Sequence, residues 1–258
     1  MRFIRYQVKD EAPRRGWVLD DHVGSIDGDI FTEFQRSEAR IPLEEVNILP
    51  PVLPSKIICV GRNYVAHAKE HDAEVPKVPL IFFKPPSSLI GPGDAILLPP
   101  QSQQVEQEAE LAVVIGRRGR GITTEHAIDH VLGYTIANDV TARDLQRSDS
   151  QWTRAKGFDT FCPLGPWIET DFDPADGLIT CHINGEMRQM ASTRDMVFRV
   201  QQLIAYISSI MTLEPGDLLL TGTPAGVSQL SEGDQVEIGI EGIGKLENPV
   251  RAASASQS

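Results

Sequence analysis

The 258 residues contain only three cysteines, and Cys59, Cys162 and Cys181 stand far apart with no CxxC pair among them. That number and spacing suit neither a disulfide framework nor a zinc knuckle, and a reducing, cytoplasmic setting is the expectation. Long apolar runs are lacking as well: no stretch approaches the roughly 18 uncharged residues of a membrane span. The opening MRFIRYQVKD breaks its apolar positions with charge, so a signal peptide is not expected. Basic residues are scarce, with 24 Lys and Arg against 36 Asp and Glu, a net charge of −12 and a pI near 4.9. Nucleic acid and anionic membrane would each require a basic face, and neither is expected as a partner. The same deficit is awkward for an enzyme of anionic substrates, which would have to gather positive charge locally at its site.

What remains is an ordinary globular balance, 41% hydrophobic and 23% charged, enough for one sizeable core. Residues 1 to 55 read as a small β-rich module: Phe3, Tyr6 and Val8, then Trp17 to Leu19, fall in short strands, with turn signals at Asp20-Asp21 and Asp27-Gly28. The proline-rich segment Leu49 to Pro54 is a stiff connector. From Lys56 to Val250 the pattern is that of a longer, mainly β domain. Three of its strands follow similar turns, at Gly93-Asp94, Gly216-Asp217 and Gly233-Asp234. Helices are few. Met196, Val197, Val200, Leu203, Ile204, Ile207 and Met211 recur at helical spacing and predict a helix over 193–211, opened by a Ser192–Asp195 capping box. A shorter helix is expected over 124–132, and residues 251 to 258 read as a frayed tail.

The most informative segment runs from Val105 to Gly116, VEQEAELAVVIG, whose last third is β-branched and apolar enough for a buried strand. Alternation along one strand puts Glu106, Glu108 and Glu110 on one face, with successive glutamates about 7 Å apart. Carboxylates lined up at the mouth of a buried strand must be protonated, reach water or share a cation. Two readings stay open, a solvated acidic edge and a site for a hard dication such as Mg²⁺ or Mn²⁺. A further carboxylate comes from Asp139, which follows the apolar strand Val131 to Ala137; its alternative is an N-cap for a helix beginning at Val140.

Six ordered stretches then resemble one family: GRNYVAHAKE (61–70), PLIFFKPPSSLIG (79–91), EAELAVVIG (108–116), NDVTARDLQ (138–146), WTRAKGFDTFCPLGP (152–166) and LEPGDLLLTGTPAGV (213–227). Together they span most of residues 56 to 250, and the chain resembles the short bacterial and mitochondrial members of the fumarylacetoacetate hydrolase family. The resemblance implies a mixed β-sandwich roll, a homodimer, and Mg²⁺ or Mn²⁺ held by Glu108, Glu110 and Asp139. It gives Glu106 no role. It places the family's lysine at Lys156, where it would offset a substrate carboxylate or a developing enolate. His67 and Glu70 match the pair used by hydrolytic and decarboxylating members. Their i, i+3 spacing lets the glutamate orient the imidazole as a general base, and the polar run from His67 to Lys77 has the character of a lid. Arg62, Tyr64, Arg143, Gln146 and the backbone near Thr223 are the candidates for substrate contacts, the arginines suiting bidentate recognition of a carboxylate.

The activity this implies is chemistry on small 2-oxo acids through an enolate, either C–C cleavage of an acylpyruvate or decarboxylation of oxaloacetate. Isomerisation or keto-enol tautomerisation uses the same enolate, and a non-catalytic, metal-bound binder of small molecules is the rival from another class. The large N-terminal domain of the enzyme for which the family is named has no room in about 55 residues, so that enzyme's substrate does not carry over.

Overall fold

The structure, a computed structural model, describes residues 1–253. It is mainly β, with α-helices at Val65–Glu70, Arg143–Ser148, Thr153–Lys156 and Val200–Ile210. The central strand is Ala109–Ile115, every residue of which is buried. Its side chains alternate between two cores: Leu111, Val113 and Ile115 pack on one side, Ala112 and Val114 on the other. An apolar stretch of this kind is stable only between two layers, because each such side chain contributes roughly 1.5–3 kcal/mol when taken out of water. On one edge Ala109–Ile115 pairs antiparallel with Val131–Asn138, which in turn pairs with Cys162–Glu169. On the other edge it pairs with Leu218–Leu220, which runs parallel to Ile57–Gly61, and that strand pairs with Leu80–Lys84.

The N-terminal strands extend this sheet: Arg2–Gln7 joins Cys162–Glu169, with Arg14–Leu19 and His22–Gly28 beyond it. A second sheet of five strands has the order Ile96–Leu98, Gly244–Ala252, Gln235–Ile240, Leu178–Ile183, Glu186–Ser192. The larger core gathers Leu111 and Val113 of the central strand, Ile179 and Ile238 of this second sheet, and Leu203, Ile204 and Ile207 of the longest helix. All three cysteines are buried thiols, and burial pushes Cys162 up to about 12.

Three local expectations are corrected and one alternative is excluded. The helix over 193–211 is two pieces: a 3₁₀ turn at Thr193–Asp195, closed by the Ser192–Asp195 capping box, and the α-helix Val200–Ile210. It cannot be continuous, because the Val197 N–H is donated to the Asn63 carbonyl and the Phe198 N–H to the Asn63 side chain. The helix expected over 124–132 is a pair of 3₁₀ turns, Thr124–His126 and Ile128–His130. The His130 carbonyl accepts from Gly116 and Arg117, which draws the chain into the sheet from Val131 on. Asp139 caps no helix, since the next one starts at Arg143, and it lies in the extended link before Thr141–Ala142. Finally, Arg251 and Ala252 belong to the last strand, and the rest of the expected tail, 254–258, lies outside the described residues.

Candidate active site

The run from Val105 to Ile115 is not one strand. Val105–Glu106 pairs with Thr141–Ala142, Ala109–Ile115 pairs with Val131–Asn138, and at the break the Glu108 N–H is donated to the Asn138 side chain at 2.9 Å. The break turns the glutamates toward one another. It also brings them to Asp139, whose own N–H is donated to the Glu108 carbonyl at 2.9 Å. One carboxylate oxygen from each of Glu108, Glu110 and Asp139 lies within 4.8 Å of the others, and all three residues are buried. A solvated acidic edge is thereby excluded.

Three buried cations answer these carboxylates. Lys156 Nζ donates to Glu108 Oε2 at 2.8 Å and to Asp139 Oδ2 at 2.7 Å. Arg143 Nη2 donates to Glu108 Oε1 at 2.6 Å, while its Nε donates to Glu106 Oε2 at 2.7 Å and its Nη1 to Gln146 Oε1 at 2.6 Å. Lys84 Nζ lies 2.7 Å from Asp139 Oδ1, but its aligned hydrogen bond goes to the Val140 carbonyl at 3.1 Å. Burial alone would raise the Glu108 carboxyl, yet Lys156 and Arg143 outweigh it and hold it well below the usual carboxylate range. Lys156, whose burial favours the neutral amine, is held above its ordinary value by Asp139 and Glu108, so it is an ammonium. Glu110 is different. Burial, then Asp139 and Glu108, push it well above 4.5, against the more distant charge of Lys156 and one backbone donor, the Gly222 N–H at 2.6 Å.

The donor set fits a hard dication. Asp139 Oδ1 is buried without an aligned hydrogen-bond donor, and Glu110 has no cationic partner of its own among the described residues. If all were ionised, the four buried carboxylates of Glu106, Glu108, Glu110 and Asp139 would exceed the three cations of Lys84, Arg143 and Lys156 by one negative charge, an excess that a proton on Glu110 relieves in the metal-free protein. A dication inverts that sign and prepares the cleft for an anion. All-oxygen donors favour Mg²⁺ or Mn²⁺ over zinc.

Glu108, Glu110, Arg143 and Lys156 open onto a cleft of about 340 Å³, lined also by Arg62, His67, Phe82 and Trp152. His67 is 6% exposed, and its Nδ1 lies 3.2 Å from Glu70 Oε2. Glu70 Oε1 accepts the Gly226 N–H at 3.0 Å. Burial opposes its ionisation, but the His67 and Gly226 hydrogen bonds prevail and lower it. The ring nitrogen facing an ionised Glu70 carries the hydrogen, which leaves His67 Nε2 as the acceptor.

Of the expected substrate contacts, Arg62, Arg143, Gln146 and Thr223 line the cleft. Arg62 has no carboxylate partner among the described residues, whereas Arg143 is engaged through all three nitrogens. The Thr223 hydroxyl is used internally, donating to the Ala109 carbonyl at 3.0 Å and accepting from Gln189 at 2.8 Å. Tyr64 is not on the cleft wall: it is 2% exposed and packs in the larger core. Sequence reasoning gave no part to Lys84, His71 or Arg147, and left Glu106 without a task, though Glu106 in fact anchors Arg143. Lys84 lay within a quoted motif, but nothing in a single sequence says that a strand-end lysine will meet Asp139.

The chain is similar to known proteins over most of its length. The pattern described as "Fumarylacetoacetate (FAA) hydrolase C-terminal" matches residues 56–251, and an N-terminal pattern, "Rv2993c-like", matches residues 1–51. The human mitochondrial oxaloacetate tautomerase FAHD2A is 48% identical over 81% of this chain and 71% of its own length. The crystal structure of 2-hydroxyhepta-2,4-diene-1,7-dioate isomerase from Mycobacterium marinum aligns over 98% of this chain and 99% of that one, with 45% identity and a TM-score of 0.90. That of maleylpyruvate hydrolase from Sphingobium sp. SYK-6, in complex with manganese(II) and pyruvate, aligns over 98% and 100%, with 32% identity and a TM-score of 0.81.

Proposed function

Since the chain belongs to the fumarylacetoacetate hydrolase family, we propose that it is a divalent-metal-dependent enzyme that cleaves a C–C bond in small 2-oxo acids of the acylpyruvate or oxaloacetate type. The observation that carries this reading is His67, held by Glu70, in the wall of the same cleft as the buried Glu108 and Glu110. A dication held by Glu108, Glu110 and Asp139 would polarise the substrate's 2-oxo group and offset the charge of an enolate.

The chain's own residues do the rest. Arg62, with no ion pair among the described residues, receives a substrate carboxylate. Arg143, fixed by Glu106, Glu108 and Gln146, keeps Glu108 aligned and can offer only its remaining N–H groups. Trp152 and Phe82, edge to face at 5.2 Å, exclude water from the far wall. In hydrolysis His67 Nε2 takes a proton from water, and the new hydroxide attacks the acyl carbonyl. The bond between that carbon and the methylene next to the 2-oxo group breaks, and its electron pair enters the enolate of the departing 2-oxo acid. Lys156, an ammonium at the cleft floor, lies beside that charge. Protonation of the enolate carbon gives the 2-oxo acid. In decarboxylation the same enolate forms by loss of CO₂ with no attacking water.

A second reading, isomerase or tautomerase, is favoured by the likeness to the human tautomerase and the Mycobacterium marinum isomerase. It uses the same enolate without cleavage. The deciding experiment incubates Mn²⁺-loaded enzyme with an acylpyruvate panel and oxaloacetate and follows both the enol absorbance and free pyruvate. Pyruvate release that collapses in the double variant His67→Ala, Glu70→Ala supports cleavage. A metal-dependent change of the enol band with no pyruvate rejects cleavage in favour of tautomerisation. As a further part of the proposal, the active form is a homodimer, which sedimentation velocity tests directly.

A further inference from the structure

The short helix Val65–Glu70 carries more than a general base. His67, Glu70 and His71 form the pattern H-x-x-E-H, in which i, i+3 and i+4 share one helical face, a spacing that suits a dication held between imidazoles one turn apart. One donor atom from each of the three lies within 4.8 Å of the others. The two imidazoles meet edge to face with centroids 4.7 Å apart, close to the separation of two rings that share one ion. The buried His71 Nε2 has no hydrogen-bond partner among the described residues. Glu70 keeps Oε2 toward His67 while Oε1 accepts from Gly226, so the carboxylate is fixed in place beside both rings and would exchange the His67 hydrogen bond for an ion. The nearby Arg143 is an opposing cation, but Glu106 and Glu108 already meet its charge.

Two imidazoles and one carboxylate are a borderline donor set, unlike the all-oxygen cluster on the other side of the cleft. We propose that His67, Glu70 and His71 form a second metal site, selective for a borderline transition dication of the Zn²⁺ type, and that its occupation switches off water activation by withdrawing His67 and Glu70. The chain would then respond to two metals in opposite senses, a hard one required and a borderline one inhibitory. Binding at this site stands on the geometry alone. Only the inhibition rests on the hydrolytic role proposed for His67.

The test titrates Zn²⁺ into full-length protein held in a large excess of Mg²⁺, with calorimetry for stoichiometry and histidine side-chain NMR for location. A single equivalent is expected to bind, shifting the ring resonances of His67 and His71, and Co²⁺ in its place should give the intense visible bands of a four-coordinate ion. His71→Leu should weaken Zn²⁺ binding by about 100-fold or more, since even an outer-shell partner is worth roughly 10–100-fold. His71→Gln, which keeps a polar side chain, should show the same loss, and an unchanged melting temperature excludes misfolding. The site is overturned if Zn²⁺ does not bind under excess Mg²⁺, or if its binding survives His71→Leu and is lost in Glu110→Gln, which would place the ion among the carboxylates. Binding at the two histidines without loss of pyruvate release supports the site and counts against His67 as the base.

Discussion

Glu110 is the least satisfied group of the site, because it shares a buried space with Asp139 and Glu108 and has a backbone N–H in place of a cation. Its raised pKa means that in metal-free protein the folded state retains a proton that the unfolded chain releases above 4.5. Stability from this source is therefore fully present below that pH and is lost as pH rises. Glu110→Gln removes the dependence. Metal-free Glu110→Gln should match metal-free wild type in acid and melt at a higher temperature at neutral pH, and saturating Mn²⁺ should reverse the order, because the amide is a poorer ligand. Thermal unfolding across pH, with and without metal, decides this; parallel curves would sink it. Glu108 behaves in the opposite sense. Lys156 and Arg143 hold it below the usual range, so its contribution is present above 4.5 and is lost as pH falls through its lowered value. Lys156→Met leaves Glu108 and Asp139 buried without their shared ammonium. A loss of about 3–5 kcal/mol is expected in metal-free protein, readable by denaturant melts, and turnover should fall by roughly 10²–10³-fold even with metal present.

One element serves both halves of the site. The turn Thr221–Gly226 sends the Gly222 N–H to Glu110 and the Gly226 N–H to Glu70, which is 40 positions away from Glu110 in sequence but joined to it through this loop. Both glycines have positive φ, +96° and +104°, and a Cβ would fall 2.7 Å from Asn63 Cβ at the first and 2.0 Å from the Arg188 carbonyl at the second. Each alanine substitution should therefore cost about 1–3 kcal/mol. Their functional signatures should diverge: Gly222→Ala weakens divalent-metal affinity, on the order of tenfold, whereas Gly226→Ala spares metal binding and lowers hydrolytic kcat. Calorimetry and steady-state kinetics on the two variants separate these effects, and identical signatures would refute the division. Elements of this kind show how far the sequence could be read. Glu108, Glu110, His67 and Glu70 were legible because each pair lies close in sequence, the first at the start of one strand and the second on one helix. Lys84, the anchoring of Arg143 by Glu106 and the break before Ala109 were not, because each depends on a partner brought from elsewhere in the chain. The split of the 193–211 helix belongs to the same class: periodicity continues through Met196 and Val197, but Asn63 takes the N–H groups of Val197 and Phe198.

At the scale of the whole molecule, the tension foreseen from composition persists in the folded chain. The net charge is −12, yet the cleft gathers Arg62, Arg143, Arg147 and Lys156 and, with a dication among the carboxylates, turns locally positive. These two fields act over different distances. The local one lies among buried groups, where salt screens weakly. The global one reaches through solvent and is cut off beyond a Debye length of about 10 Å at 0.1 M. An anionic 2-oxo acid approaching the protein therefore meets repulsion first and attraction only at the cleft mouth. Raising ionic strength from about 0.01 to 0.15 M with a non-coordinating salt, at constant free metal, should raise kcat/KM by a factor on the order of 2–10 and leave kcat unchanged. The rise should be larger for a dicarboxylate than for a monocarboxylate substrate. Stopped-flow measurements of the enol band at a series of salt concentrations test this. A fall in kcat/KM with salt would show that the arginines at the mouth, Arg62 and Arg147, dominate encounter at long range, and that the acidic surface is too distant to repel the incoming anion.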